Sequence, residues 1–406
     1  MSLARGALGV LIIIGICYLF SRERRAVPWR LVLVGLGLQV VLALFILGTV
    51  PGGAIMKRSA EIVTTFLDFS YQGSGFLFGS LGRKSTGPDN AYLAFQALPI
   101  LIYFSAVMAA LYHFGIMQLI VYGLARVLWK LLRVSGAEAM SVTADVFVGM
   151  TEAPLVIRPY IERMTASELT AVMAGGFATI AGTVLGVYML FVGEAYAPYL
   201  LAASVMAAPA ALVTAKLLVP ETGEPVTAGG MSFRFERTGA NLLDAIAIGV
   251  KDGLYLALNI AAMLIAFYSL IALVNWPLTS WFGVTLQEIL GFFLRPFAWC
   301  LGVSWDDAGR FGSLLGTKLA LNEWIAYQDL QGLITRGELS DRSVKIATFA
   351  LCGFANIGSM GVIVGGISQL APSRREDLAR LAPRAMLAGA LASCLTGAVA
   401  GMFFPA

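Results

Sequence analysis

The chain has 406 residues, of which 58% are hydrophobic and 13% are charged, and its formal net charge is +4. Soluble domains carry about a quarter of charged residues, so this composition excludes an ordinary soluble protein and indicates an all-α polytopic membrane protein. The lysines and arginines lie in short clusters between apolar segments, where they set membrane topology rather than bind nucleic acid.

The cysteines and the histidine argue against catalysis and against a disulfide framework. Cys17, Cys300, Cys352 and Cys394 lie in apolar segments without CxxC spacing, so neither disulfides nor a zinc site are indicated. The only histidine, His113, excludes a zinc helix of the His-Glu-x-x-His type. We therefore predict that the protein is not an enzyme and carries no covalent cofactor.

Two apolar segments begin the chain, at residues 6–20 and 31–50, and we expect each to form a transmembrane helix. The first segment lacks the basic flank and the cleavage site of a signal peptide. The arginines between the two segments place their connection in the cytoplasm by the positive-inside rule, and the N-terminus therefore outside. Residues 56–81 are too polar to span, and we predict an interfacial helix there.

Residues 140–164 combine helix-breaking residues with charges. Gly149, Pro154 and Pro159 interrupt the segment, and it carries several acidic and basic side chains, so it cannot be a plain span. A re-entrant hairpin, which enters and leaves on the same side, accommodates these breaks where the backbone lines a protein cavity. We predict a second hairpin of the same kind at residues 306–330.

The remaining segments alternate between crossings and polar or amphipathic connections. The predicted crossings are 91–115, 169–192 with a break at its centre, 199–219, 254–276, 346–370 with a polar middle, and 385–404. Amphipathic helices are expected at 116–134 and 284–303. The basic loop at 336–345 is the one cluster that the charge rule does not reconcile with this topology.

An internal repeat relates the two halves of the chain. Each half has an amphipathic helix, a hairpin with one key glutamate, and a broken span that opens with Phe177-Ala-Thr-Ile180 or Phe354-Ala-Asn-Ile357. Each half contains an odd number of crossings, so the halves should have opposite orientations, as in the inverted repeats of secondary transporters. The predicted regions are 1–90 (N-terminal helices), 91–219 (first repeat), 220–253 (cytoplasmic connection) and 254–406 (second repeat).

Each hairpin carries a carboxylate at its tip, Glu152 in the first and Glu323 in the second. A charge in hydrocarbon costs at least about 2.5–3.5 kcal/mol, so each should have a partner. The polar side chains expected around one cavity are Thr151, Glu152, Asn322, Glu323, Asn356 and Ser359. Such a set suits a neutral polyhydroxylated solute, because carboxylates accept strong hydrogen bonds from hydroxyl groups. Phe354 or Trp324 would cover its apolar face.

Several motifs in this order resemble the concentrative nucleoside transporter family over nearly the whole chain. They are Gly149-Met-Thr-Glu-Ala-Pro-Leu155, Ile157-Arg-Pro159, Ser204-Val-Met-Ala-Ala-Pro209, Lys318-Leu-Ala-Leu-Asn-Glu323, and Cys352-Gly-Phe-Ala-Asn356 with Ser359. The resemblance implies a homotrimer whose protomers have eight transmembrane helices, two re-entrant hairpins and interfacial helices. It also implies that part of each protomer moves as an elevator.

The resemblance further implies a nucleoside site. Thr151 and Glu152 would bind the nucleobase, while Glu323, Asn356 and Ser359 would bind the ribose with Phe354 nearby. Many members of the family have a glutamine before the Thr-Glu pair, where this chain has Met150, so its base preference is left open. The implied function is import of nucleosides across a bacterial-type inner membrane by cation symport, and the alternative is symport of another small polar solute.

The resemblance places a cation site beside the first hairpin. Its members would be the backbone carbonyls of Val148 and Ile180, the hydroxyl of Thr179, and Asp145 where sodium-coupled relatives often have asparagine. A carboxylate there suits Na⁺, which prefers hard oxygen ligands, or takes up a proton itself. We expect Na⁺ coupling first, and H⁺ coupling is the alternative.

Overall fold

The computed structural model describes residues 2–83, 93–193, 195–231 and 239–405, and no strand occurs among them. The α-helices are α1 (Ser2–Leu19), α2 (Trp29–Gly48), α3 (Val50–Phe78), α4 (Leu93–His113), α5 (Ile116–Leu132), α6 (Gly136–Ala144), α7 (Ala166–Ala178), α8 (Gly182–Val192), α9 (Ala197–Leu218), α10 (Leu242–Phe282), α11 (Leu286–Cys300), α12 (Trp305–Ala320), α13 (Glu323–Thr335), α14 (Asp341–Ala350), α15 (Ile357–Leu370) and α16 (Arg375–Gly401). A 3₁₀ helix, Ala153–Arg163, follows α6.

Six helical segments in the described part of the chain are long and apolar enough to cross a membrane, and one of them consists of two helices. They are α2, α4, the pair α7 and α8 taken together, α9, α10 and α16. The shorter helices α1 and α15 are also apolar. Helices α11 and α12 meet at a bend of 119°, so they are better described as two elements than as one crossing.

Helix α10 is longer than the sequence predicted. The expected span was 254–276, and residues 220–253 before it were assigned to a cytoplasmic connection, but α10 runs over 41 residues. Asn241 begins the helix earlier because its side-chain oxygen accepts a hydrogen bond from the Asp244 backbone N–H at 3.0 Å. The Asp244 carboxylate in turn accepts from the Ala240 N–H at 2.7 Å. Residues 242–253, which carry Asp244, Lys251 and Asp252 among mostly apolar residues, therefore belong to the helix.

The core is formed by helices rich in alanine and glycine. Of the most apolar 18-residue stretch of α9, 89% is buried inside the protein, compared with 11% in α10. Helix α16 packs against both α7 and α9, and at Gly389 a side chain would overlap Phe177. Small residues allow such close backbone approach where lipid offers no hydrophobic driving force. The broken helix α7–α8 is thereby held inside the protein.

The basic loop that the charge rule did not explain has a structural role. The Arg342 guanidinium donates to the backbone carbonyls of Gly302 at 3.1 Å, Gly401 at 2.8 Å and Pro405 at 3.0 Å, and also to that of Phe404. Carbonyls at the ends of α11 and α16 are satisfied by this one side chain. Arg342 of α14 therefore links this helix to the ends of α11 and α16. Its charge is used in these contacts and need not follow the positive-inside rule.

Candidate functional site

The two broken helices cross in direct contact. Helix α7 ends at Ala178 and α8 begins at Gly182, while α14 ends at Ala350 and α15 begins at Ile357, so both breaks fall where the sequence predicted. Gly353 lies in the second break with φ +129°, and a Cβ there would lie 2.6 Å from the Phe177 carbonyl oxygen. Only glycine permits this approach. Backbone groups freed by both breaks therefore converge at one place.

Glu323 is fixed at this crossing by two donors. It is the first residue of α13, directly after the Asn322 cap, and its side chain is 6% exposed. The Tyr188 hydroxyl donates to Glu323 Oε1 at 2.8 Å, and Asn356 Nδ2 donates to Oε2 at 3.1 Å. Asn356 also caps α15, because its Oδ1 accepts from the Ser359 N–H at 2.8 Å. The structure thus brings together Glu323, Asn356 and Ser359.

Sequence reasoning missed Tyr188, which lies in the uncharged second half of the broken helix. Its ring stacks on Tyr327 with centroids 4.6 Å apart and meets Trp324 edge-on at 5.9 Å. Trp324 also packs against Phe191, so its ring faces other aromatic rings of the protein and the suggestion that it covers a ligand is not supported. The sequence did contain a signal for Tyr188, because it is a tyrosine in a span without charged residues. A buried Tyr hydroxyl usually has a hydrogen-bond partner, so this position could have been predicted to contact a polar residue.

The first tip, the turn of residues 145–152 that carries Glu152, is held by local contacts. Glu152 Oε2 accepts a hydrogen bond from the Gly149 N–H at 2.6 Å, within the same turn, and the Glu152 side chain is exposed. Thr151 packs on α15, because a Cβ on Gly366 would lie 2.7 Å from its Cγ2. Gly366 is about 10 Å along the helix from Ser359 at 1.5 Å per residue. The two tips therefore share α15.

Met150 and Phe354 occupy different positions around helix α15. A Cβ on Gly176 would lie 2.5 Å from Met150 Cβ and 3.1 Å from Ile363 Cδ1, so Met150 fills the junction between α7 and α15. Phe354 lies in the break before α15 and is half-buried. A thioether at position 150 presents no strong hydrogen-bonding group to this junction.

Asp145 has a carboxylate without a donor. The side chain is 1% exposed, and neither oxygen has a hydrogen-bond partner among the described residues. It lies against Gly175, where a Cβ would come within 2.6 Å of Oδ2. The Gly175 carbonyl accepts from the Thr179 hydroxyl at 2.9 Å, so Asp145 and Thr179 flank the same residue. A buried carboxylate without donors needs a cation or a proton to offset its desolvation.

The remaining members of the predicted cation site lie at the same junction. Val148 is half-buried in the turn after α6, and Ile180 is buried in the break between α7 and α8. The Gly182 N–H donates to the Phe147 carbonyl at 3.1 Å and joins this turn to the break. No group of three or more His, Cys, Asp or Glu side chains in the described ranges could hold a metal. One carboxylate with hydroxyl and carbonyl oxygens suits a monovalent cation better.

A buried network around Lys216 was also missed by sequence reasoning. Its ammonium lies 2.7 Å from Glu138 Oε2 and 3.2 Å from Glu221 Oε2, and donates to Ser167 Oγ at 3.0 Å. These residues lie at the start of α6, at the start of α7 and after α9. The network joins the base of the first hairpin to the broken helix, and it contains no residue of the predicted site.

Apolar helices, two of which are broken where they cross, with a polar turn beside each break, are the architecture of a secondary active transporter. Such a protein moves solutes across a membrane and is not an enzyme. The chain belongs to the Na⁺-dependent nucleoside transporter family. The family's C-terminal model matches residues 199–401, its N-terminal model matches residues 8–81, and a nucleoside-recognition model matches residues 94–195. The prediction of a multi-pass protein of a bacterial-type plasma membrane is thereby confirmed.

Three individual proteins illustrate the similarity. The chain is 43% identical to an uncharacterised transporter of Bacillus subtilis, over 99% of this chain and 100% of that protein. It is 40% identical to sodium/nucleoside cotransporter 1 of Rattus norvegicus, over 98% of this chain but 63% of that longer protein. The solved structure of CNTnw in an inward-facing substrate-bound state superposes with a TM-score of 0.94 at 41% identity, covering 99% of this chain and 98% of that one.

Proposed function

We propose that this protein imports nucleosides across the plasma membrane by symport with a cation, and that the cation is Na⁺. The observation that carries this proposal is the Glu323 carboxylate, which is held by Tyr188 and Asn356 where the broken helices cross. A carboxylate with fixed donors and a remaining accepting capacity binds the paired hydroxyl groups of a sugar.

In the proposed complex, α15 and the second tip bind the ribose. Glu323 accepts from the ribose hydroxyls, and Asn356 and Ser359 at the start of α15 complete the contacts. Phe354, in the break before α15, covers an apolar face of the nucleoside. The grouping of these residues at one helix start supports the assignment, because Asn356 donates to Glu323 and accepts from the Ser359 backbone N–H.

The first tip binds the nucleobase in this proposal. Thr151 and Glu152 accept and donate at the base edge, and Met150 contributes no amide to it. Thr151 lies against α15 about 10 Å beyond Ser359, a separation suited to the length of a nucleoside. Met150 leaves the base preference open, and the alternative is symport of another small polar solute by the same fold.

The proposed coupling cation lies between Asp145, the Thr179 hydroxyl and the backbone carbonyls of Val148 and Ile180. The two donor-free oxygens of Asp145 support this placement. Na⁺ would supply the charge that offsets the buried carboxylate, and its hard oxygen ligands match those present. The same carboxylate supports H⁺ as the alternative coupling ion.

The proposed architecture has eight transmembrane helices. Adding α1 and the broken pair α14–α15 to the six long apolar helices gives this number. The turn regions after α6 and between α12 and α13 form two re-entrant hairpins of an inverted repeat, and α5 lies at the interface. The regions 1–90, 91–219, 220–253 and 254–406 keep the roles given above.

The proposed assembly is a homotrimer that works by an elevator. The outer face of α10 is apolar and largely unburied, so it is available to lipid or to a second copy of the chain. The buried helices α7, α9 and α16, which pack together, would move with the nucleoside relative to α10. Cross-linking between introduced cysteines on α10 of neighbouring copies would test the assembly.

Uptake of radiolabelled uridine into proteoliposomes, with Na⁺ and H⁺ gradients imposed separately, tests the function. We expect accumulation driven by the Na⁺ gradient, and a shifted response to Na⁺ or to pH in Asp145→Asn. Accumulation under neither gradient would refute the proposal. An unchanged ion response in Asp145→Asn would remove Asp145 from the cation site.

A further inference from the structure

Lys318 is a fully buried cation in the last turn of α12. Its side chain is 1% exposed, and its ammonium donates to Ser393 Oγ at 2.7 Å and to the Ala350 carbonyl at 3.0 Å. Among the residues that the structure describes, no carboxylate lies within ion-pair distance of it. Burial of an ammonium without a counter-ion has a large desolvation cost. Another source of negative potential must offset that cost.

The end of α14 offsets that cost. Ala350 is the last residue of this helix, and its carbonyl points to the broken segment before α15. The last carbonyls of a helix lack intrahelical donors and carry the negative end of the helix dipole. The Lys318 ammonium therefore occupies the place where a cation is most stable at this break.

The second tip thus presents opposite charges to the two sides of the break. Lys318 contacts the C-terminal end of α14, and Glu323 accepts from Asn356 at the N-terminal end of α15. Each charge faces the helix end of opposite sign. Lys318 thus holds the end of α14, and Glu323 holds Asn356 at the start of α15, on the two sides of the same break.

The first half has no such lysine. Its tip, residues 145–152, contains no basic residue, and the corresponding break after α7 lies beside the donor-free Asp145. We infer that Lys318 is a built-in cation that does for the second break what the bound coupling cation does for the first. This inference rests on the proposed cation site, and it makes Lys318 a positioning residue for the nucleoside site that does not touch the nucleoside.

Calorimetric binding of uridine to the detergent-solubilised full chain tests this role. In Lys318→Met, which keeps an unbranched side chain one atom shorter and removes the charge, we expect uridine to bind about tenfold more weakly at saturating Na⁺, equivalent to about 1.4 kcal/mol. The Na⁺ concentration that gives half of the thermal stabilisation, measured without uridine, should change much less than the uridine affinity, because the Lys318 ammonium contacts the end of α14 and Ser393 and not the first break. A general packing defect would shift both quantities, and unchanged uridine binding would refute the inference.

A second pair of variants keeps Lys318 in place. Ser393→Asp sets a carboxylate beside the ammonium and neutralises it, while Ser393→Asn is the uncharged control of the same size. We expect Ser393→Asp to bind uridine more weakly than Ser393→Asn, and equal binding would overturn the inference even if Lys318→Met fails to fold. Wild-type protein that does not bind uridine would instead refute the proposed function.

Discussion

Glu323 and Glu152 are the acidic residues of the two tips, and they are held in different ways. Glu323 is buried and accepts from Tyr188 and Asn356, which come from α8 and from the start of α15. Glu152 is exposed and accepts from Gly149 within its own turn. A carboxylate oriented by distant elements is preorganised, whereas one oriented by its own turn adapts to its ligand. The second tip would therefore supply the rigid half of the proposed nucleoside site, and the first tip its adjustable half.

The largest expected effect is that of Glu323→Gln. Loss of the charge weakens the hydrogen bonds from both protein donors and from the ligand, each charge-assisted bond being worth about 1.5–3 kcal/mol. We expect uridine uptake into proteoliposomes to fall by about 100-fold or more, with assembly unchanged by size-exclusion chromatography. Glu162→Gln, at an exposed position, is the matched control. Uptake near the wild-type level would remove Glu323 from the site.

Tyr188→Phe asks whether the rigidity of the second tip matters. The change removes one hydroxyl donor to Glu323 and keeps the ring that stacks on Tyr327. We expect the KM for uridine to rise by about tenfold, since one hydrogen bond to a charged group is lost. Tyr327→Phe, which removes a hydroxyl donor to the Thr348 carbonyl, is the control. An equal rise in both variants would show that the effect comes from packing.

Glu152→Gln should have a smaller effect than the same change at position 323. The amide oxygen of glutamine can still accept from the Gly149 N–H, so the local turn is kept. We expect about a fivefold weaker uptake, from one weakened contact to the nucleobase. Uptake as low as that of Glu323→Gln would mean that the two tips are equally rigid, and the comparison would fail.

Met150→Gln should give the smallest effect, a change of preference. Glutamine offers an amide at the junction of α7 and α15, where the thioether offers no strong donor or acceptor. We expect the ratio of uridine to adenosine uptake to change by about two- to threefold, the value of a fraction of one hydrogen bond. Competition assays with both nucleosides would measure it. A constant ratio would place Met150 outside the base site.

The sequence predicted those features that depend on local chemistry. Breaks in the two broken helices follow from glycines and polar residues in apolar spans, and both breaks occur as expected. The helical membrane fold, the transporter family and the absence of an enzymatic role were also predicted correctly. Asn356 was predicted as a site residue, and an amide suits its position because Oδ1 caps α15 while Nδ2 donates to Glu323.

Contacts between distant residues were beyond sequence reasoning. The Tyr188 partner of Glu323 is 135 residues away in the chain, and the Ser393 partner of Lys318 is 75 residues away. No spacing rule connects such positions, because only the packing of helices brings them together. The length of helix α10 was underestimated because Asp244, Lys251 and Asp252 interrupt its N-terminal residues, which read as a connection until the Asn241 cap is seen.

Gly353 has a thermodynamic consequence. Its backbone touches the carbonyls of Phe177 and Ala178, directly before Thr179, and it precedes Asn356 by one short turn. In the proposed mechanism, a cation that orders the first break therefore also acts on the segment that carries the proposed ribose contacts. By reciprocal linkage, each ligand then strengthens the other's binding by the same factor. The close approach at Gly353 thus provides one direct contact through which the binding of the two ligands can be coupled.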